Sequence, residues 1–165
     1  MNLYDLILSR RTIKDFKSDV VPADVIDRAL TAGTWAQNHK LTEPWRFIVL
    51  GPHTHAAMAA IDAKLATKPA IVAVTCRRSS DAAQQREDYA AVCCAIQNIQ
   101  LAAWADGVGM QWSTGRTAMS PQTHALLGIH ADEEEMTGLL YFGYPAAVPN
   151  AKPRKPLADV IRRLA

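Results

Sequence analysis

No apolar run in this sequence approaches the ~20 residues a helix needs to cross a bilayer, because Pro, Gly or charged residues interrupt each one. A membrane-spanning role is therefore not expected. Near the start, Asn2, Asp5, Arg10 and Arg11 break up the apolar residues, and no small-residue cleavage pattern follows. No export is expected, and a cytoplasmic location is. Cysteine is scarce: Cys76, Cys93 and Cys94 are odd in number, lack metal-ligand spacing and include an adjacent pair that is awkward to bridge. Free thiols in a reducing compartment are expected, serving as small buried hydrophobes rather than nucleophiles. An excess of one charge is missing too. Eighteen Lys and Arg face 16 Asp and Glu, for a net charge of +2, which gives no whole-surface attraction to nucleic acid or anionic lipid. His53, His55, His124 and His130 are scattered and no His/Asp/Glu set has credible metal spacing, so no metal is expected. No serine lies in a nucleophile-elbow sequence, which leaves triad hydrolysis without support.

What is present is a chain of 165 residues with 49% hydrophobic composition, enough for one sizeable core and a single domain over residues 1–165. Leu3, Leu6, Ile7 and Arg10 recur at helical spacing, so a short first helix delivers Arg10, Arg11 and Thr12 at its C-terminal end. Pro22 and Asp24 suit a second helix whose apolar face is Val25, Ile26, Ala29, Leu30 and Gly33, running out near Trp35. Residues 37–44 form an irregular loop before a strand at 45–50 that ends at Gly51-Pro52. A helix over 55–66 and a buried strand over 69–76 follow. Asp81 with Gln84 resembles a capping box, and Tyr89, Val92, Cys93, Ile96, Gln100 and Ala103 hold helical period until Gly107. That longest helix approaches ~40 Å, enough to traverse a domain and offer a dimer surface. A short helix runs from Ser120-Pro121 to Gly128, a buried strand spans 138–144, and a last short helix starts at Leu157. Helices and strands do not alternate cleanly, which favours an α+β layered fold over a doubly wound sheet.

Arg10-Arg11-Thr12-Ile13-Lys14 puts three cations and a hydroxyl within one short stretch. Arg supplies a planar fork, Lys a point charge and Thr a donor, a set that can clamp a phosphate. Such residues at a helix C-terminus also simply complement its dipole. Lys152-Pro153-Arg154-Lys155-Pro156 is a second cluster, kept extended by its prolines, for which a solvated tail is the alternative. Neither cluster is interleaved with aromatics, so nucleic acid has no stacking platform and is not an expected partner. Gly107-Val108-Gly109-Met110-Gln111-Trp112-Ser113-Thr114-Gly115 bears glycines but lacks the strand-turn-helix setting of a dinucleotide fold. Trp112, Ser113 and Thr114 could instead stack on a flat heterocycle and bond its rim, or Trp112 could be a satisfied core residue beside a turn.

Taken in order, these segments resemble one family, the FMN-dependent nitroreductases, over about residues 3–156. Arg10-Arg11-Thr12-Ile13-Lys14-Asp15-Phe16 is similar to the Arg-Arg-Ser-x-Arg/Lys-x-Phe signature that holds the FMN phosphate and ribityl chain. Ala36-Gln37-Asn38-His39-Lys40, with Glu43-Pro44-Trp45-Arg46-Phe47 after it, resembles the family's loop and Gln-Pro-Trp-Arg/His-Phe strand entry. Residues 107–115 resemble the segment that passes the isoalloxazine ring, and 152–156 the basic motif that returns to the phosphate. Two departures stand out: Ala36-Gln37 replaces the usual Pro-Ser, and Glu43 replaces Gln, which changes the charge beside the ring. A long lid over the flavin is not expected.

The resemblance implies a nitroreductase-like α+β fold, a central mixed or antiparallel sheet flanked by helices, in a homodimer with FMN at the interface. It implies ping-pong transfer from NADH or NADPH to a nitroaromatic, quinone or related small acceptor. Arg10, Arg11, Thr12, Lys14 and Arg154 are then expected to hold the phosphate end. Trp112, Ser113 and Thr114 are expected along the ring, with Ser113 or Thr114 addressing its N5/O4 edge by side chain or backbone. By likeness to the compact bacterial members, Trp35 and His39 reach the flavin of the partner subunit, His39 as a ring-edge donor. A dehalogenase- or enoyl-reductase-type flavin enzyme and a non-catalytic FMN-binding protein are the alternatives.

Overall fold

The computed structural model describes residues 2–164. Its framework is an antiparallel sheet of β1 (Trp45–Val49), β2 (Ala70–Arg77), β3 (Gly109–Ser113) and β4 (Glu134–Gly143), in the order β1-β2-β4-β3. The helices are α1 (Leu3–Ser9), α2 (Ala23–Thr34), α3 (Pro52–Ile61), α4 (Ala82–Ala105) and α5 (Pro121–Leu127), with 3-10 turns at His39–Leu41, Ala63–Thr67 and Leu157–Asp159. Among the described residues no helix is long and apolar enough to cross a membrane.

The two central strands are apolar almost throughout because both faces of the sheet are covered. Strand alternation sends Val72, Val74, Leu140 and Phe142 to one face, where they meet Val92, Ile96 and Ile99 of α4 and Val25, Ile26 and Ala29 of α2. Ile71, Ala73, Leu139 and Tyr141 face the other way, against Met58, Leu65 and Ile129. Helix α2 approaches α4 closely at Gly33, where a Cβ would lie 2.6 Å from Ile99 Cγ1. On β4 the register shifts opposite Val74 and Thr75, and Gly138 sits there at φ 151° with Trp112 Nε1 only 2.4 Å from where a Cβ would be. A side chain at 138 would obstruct both the bulge and the indole.

The observed architecture is that of the nitroreductase-like expectation, with several local differences. Asp81 caps α4 by accepting from the Ala83 N–H at 2.9 Å. Gln84 does not complete a capping box: its amide donates to Asp88 at 2.8 Å, and Gln85 accepts from the Ser79 N–H at 2.7 Å instead. Strand β3 occupies part of the glycine-bearing segment 107–115, for which no strand was expected. Gly109 is needed there because a Cβ would come within 2.5 Å of Ile13 Cγ1. Strand β4 begins at Glu134 rather than 138, its acidic start held by Thr75 bonding Glu134 and Arg78 approaching Glu135. Helix α3 starts at Pro52 and ends at Ile61, where Asp62 takes over as cap of the next turn by accepting from Lys64 N–H. The terminal helix shrinks to the single turn Leu157–Asp159.

Candidate functional site

Helix α1 ends at Arg10, and the chain then crosses the end of the sheet where β3 starts and β4 finishes. Backbone bonds pin it there: Ile13 N–H to the Met110 carbonyl at 3.1 Å, Lys17 N–H to Tyr144 at 2.8 Å, and Ala146 N–H to Asp15 at 3.0 Å. Ile13 is buried to 1% exposure. Lys68 adds a side-chain tie, its ammonium donating to the Lys14 carbonyl at 2.7 Å and lying 5.3 Å from the Phe16 ring centre. With Ile13 turned inward, Arg10, Thr12 and Lys14 line a cavity of about 1000 Å³.

The far wall of that cavity is the C-terminal tail, including Asn150, Lys152 and Arg154, and Gln97 of α4 contributes from the side. The two basic clusters read from the sequence thus share one space. The Arg10 guanidinium is held below the ordinary arginine range, first by burial and then by the charges of Arg11 and Arg154. Among the described residues none of Arg10, Arg11, Lys14, Lys152 or Arg154 takes part in an ion pair. Arg11 partly turns back to α1, its NH1 donating to the Leu8 carbonyl at 2.7 Å and to that of Arg10 at 2.9 Å. Its Nε is buried without a partner. Although Asp15 also lines the cavity, no ion pair neutralises the cations crowded around Arg10, which makes a site suited to a multiply charged anion such as a phosphate.

Strand β3 is an edge strand whose outer side is bridged by Thr12 at Met110, where Gln100 also donates to the Met110 carbonyl at 3.4 Å. The Met110 carbonyl points out to Ile13. By antiparallel alternation the N–H and C=O of Trp112 therefore point to the same open edge. From Met110 to Thr114 the strand advances about 13 Å, so the edge leads away from the cationic cavity by roughly the length of a flat tricyclic ring. The Trp112 indole is not free to stack: it packs into the sheet-helix core and donates to the Thr137 carbonyl at 3.0 Å. The Ser113 hydroxyl bonds that of Tyr141, whose phenol is pushed up by burial, with the Ser113 bond opposing that shift and the charge of Asp62 adding to it. On this strand, backbone groups remain the freest donors and acceptors.

Trp35 and His39 lie outside this cavity. Trp35, at the end of α2, is 84% exposed and borders a shallow depression with Asp24, Asp27, Arg28 and Thr31. The His39 side chain is 60% exposed, with Nε2 3.7 Å from a Glu87 carboxylate oxygen. One chain alone does not bring these two residues to Arg10. Sequence reasoning missed Gln97 and Lys68. Gln97 carries no local signal, being one polar residue on a long helix, and Lys68 acts on Lys14 across 54 residues of chain.

Comparison with known proteins agrees with this architecture. The profile described as "Nitroreductase family" matches residues 7–73 and 54–144. A protein of Bacillus subtilis (strain 168) named "Putative NAD(P)H nitroreductase YfhC" is 33% identical over 178 residues, covering 95% of this chain and 91% of its own. The crystal structure of a nitroreductase-like family protein from Bacillus cereus superposes with a TM-score of 0.87 at 26% identity, over 99% of this chain and 96% of that one. A nitroreductase-type structure from Desulfovibrio desulfuricans, solved in complex with FMN, has a TM-score of 0.81 at 24% identity, over 100% and 98% of the two chains. The fold is thus a nitroreductase-like α+β sandwich of helices around an antiparallel sheet. The chain belongs to the nitroreductase family.

Proposed function

We propose that residues 1–165 work as one FMN-binding oxidoreductase domain, paired with a second copy, that passes electrons from NADH or NADPH to a nitroaromatic, quinone or related small acceptor. The observation that carries this reading is the convergence of Arg10, Lys14 and Arg154, drawn from opposite ends of the sequence, on one cavity where, among the described residues, none of them is in an ion pair. The donor set fits FMN: cations for a phosphate at one end and, leading away from them, an open strand edge about 13 Å long for a ring. The FMN held by the Desulfovibrio protein and the NAD(P)H in the name of the Bacillus subtilis relative support the same cofactors.

When bound, FMN supplies the redox chemistry, accepting a hydride from NAD(P)H and reducing the acceptor once the nicotinamide has left. Arg10 and Arg154 hold the phosphate by charge-assisted bonds, with Lys14 adding charge and Thr12 a hydroxyl. Arg11 acts mainly by fixing the end of α1. The outward N–H and C=O of Trp112, with Thr114 beyond them, bond the ring rim, and Ser113 is oriented by Tyr141. His39 and Trp35 of the second copy close the ring from the other side, His39 as a hydrogen-bond donor at its edge.

Exposed apolar surface supports the dimer. Leu3, Tyr4 and Leu8 of α1 are 67%, 71% and 57% exposed, and Leu157, Val160 and Leu164 of the tail 67%, 70% and 79%. A chain standing alone would leave both stretches in water, whereas obligate interfaces commonly bury ~2,000 Å² or more. The three free thiols suit a cytoplasmic setting.

The deciding experiment is the visible spectrum of the purified protein before and after anaerobic NADH or NADPH. A yellow protein that bleaches is expected; a colourless one that added FMN cannot reconstitute would overturn the reading. Light scattering on the FMN-loaded protein at micromolar concentration tests the pairing, which a monomer would exclude.

A further inference from the structure

The loop carrying His39 is held in a shape that its residues disfavour. Lys40, Leu41 and Glu43 have φ of 60°, 50° and 44°, left-handed values that cost free energy for residues with side chains and persist only where surrounding contacts impose them. Those contacts converge on one buried carboxylate. Asp88 of α4 is 4% exposed, and its Oδ1 accepts from the Thr42 hydroxyl at 2.5 Å and from the Gln84 amide at 2.8 Å. The Asn38 amide donates to the Thr42 hydroxyl at 3.1 Å, and Asn38 Oδ1 accepts from the Glu43 N–H at 2.7 Å. Arg77 and Arg46 hold the outer side through the carbonyls of Thr42 and Glu43.

Gln84, Glu87 and Asp88 lie on one side of α4 by helical spacing, and Glu87 is the carboxylate nearest His39. Among the described residues no cation pairs with Asp88. A buried carboxylate without a cation is expensive to keep, and here its Oδ1 is shared between Thr42 of the loop and Gln84 of its own helix.

We propose that Asp88 is a positioning residue for the reductase site: through Thr42 and Asn38 it holds the 38–43 loop in its strained form and thereby sets where His39 meets the flavin of the second copy. This rests on the FMN reading given above. It concerns a residue that touches neither cofactor nor substrate and acts only through the loop.

Two measurements on Asp88→Ala, Thr42→Val, Thr42→Ser, His39→Ala and the Asp88→Ala/His39→Ala double variant test it. Hydrogen exchange needs no flavin chemistry. The Glu43 amide is expected to exchange at least tenfold faster in Asp88→Ala and Thr42→Val, to stay within threefold of wild type in Thr42→Ser, and to do so with the amides of residues 92–99 unchanged. In the FMN-loaded protein, kcat/KM for NAD(P)H should fall in Asp88→Ala and Thr42→Val by the same factor as in His39→Ala, while the Kd for FMN moves less than threefold. The double variant should then be no worse than His39→Ala alone. An unchanged Glu43 amide in both latch variants, losses that multiply in the double variant, or a His39→Ala protein with wild-type kcat/KM would each overturn the proposal. Failure of the protein to take up FMN at all would refute the site reading and the role of His39 with it, while the exchange result would still decide whether Asp88 latches the loop.

Discussion

The two stretches that bring cations to the cavity are held in opposite ways. Residues 10–17 are tied down by one backbone bond to β3 and two to the segment just after β4, by the Lys68 ammonium and by the buried Ile13. Beyond the Ala146 bond, the tail through Arg154 is exposed from 147 to 164 and has only the turn at Leu157–Asp159 as regular structure. On the proposed reading, one jaw of the phosphate clamp is set when the chain folds and the other is ordered mainly by the ligand. A preset jaw contributes its full bonding to a ligand, whereas a loose one gives up part of it to ordering entropy.

The sharpest way to break this contrast is to remove the pin. Ile13→Ala is expected to destabilise the protein by about 2–5 kcal/mol, since it empties a fully buried site, and to loosen FMN binding as well. Val148→Ala in the tail, at a side chain 57% exposed and given no part in the pairing, should stay within about 0.5 kcal/mol. Equal losses at the two positions would erase the distinction between the jaws.

Next in size is the clamp itself. Arg10→Ala is expected to weaken FMN binding by roughly ten- to a hundredfold, as charge-assisted bonds contribute on the order of 1.5 to 3 kcal/mol each. Arg154→Ala should fall at the lower end of that range because of the tail's ordering cost. Riboflavin, without the phosphate, should change much less, and the double variant should be non-additive. Fluorescence titration with both flavins gives all of these values. Equal weakening of FMN and riboflavin by Arg154→Ala would make the tail structural rather than phosphate-binding.

The smallest expected effect concerns the support behind the pinned jaw. Asp62 caps the turn that leads to Lys68, and its carboxyl is held below the usual carboxylate range, chiefly by the Thr117 hydroxyl and then by the Lys64 N–H. A lowered folded-state pKa means that its stabilisation is complete above the unfolded value of about 3.9 and is lost as pH falls through the folded one. Asp62→Asn should therefore lower Tm slightly at neutral pH and converge with wild type at the acid end, which flattens the acid limb of Tm against pH. The group is largely in water, so the change is slight. A variant whose acid limb matches wild type would show that this cap does not support the jaw.

How far the sequence discloses the site follows the same divide between local and distant causes. Helix α4 was legible almost to the residue, expected from about Asp81 to Asp106 and observed at Ala82–Ala105, because its cap, period and terminating glycine are local features. The Arg10 to Lys14 cluster and the tail's basic motif were legible as types of residue for the same reason. Strand β3 was not, because two glycines mask it and its hold comes from β4 and Thr12. Lys68 and Asp88 were invisible as well: their partners Lys14 and Thr42 are 54 and 46 positions away, and nothing near either residue marks it. Asp81 with Gln84 suggested a local pairing, but the Gln84 amide turns to Asp88 and the Asp81 N–H donates to Ser79 Oγ.

The open edge of β3 also bears on the protein's life in the cell. Beyond the Thr12 bridge, the outward groups of Trp112 form a short stretch of unpaired strand, the kind of surface on which another chain can add itself. With a flavin ring laid along that edge, on the proposed reading, cofactor and misassembly compete for the same backbone groups. Flavin supply then acts as quality control: cells starved of riboflavin should accumulate this protein as aggregate or degrade it, since a ligand that binds only the folded state raises its population by mass action.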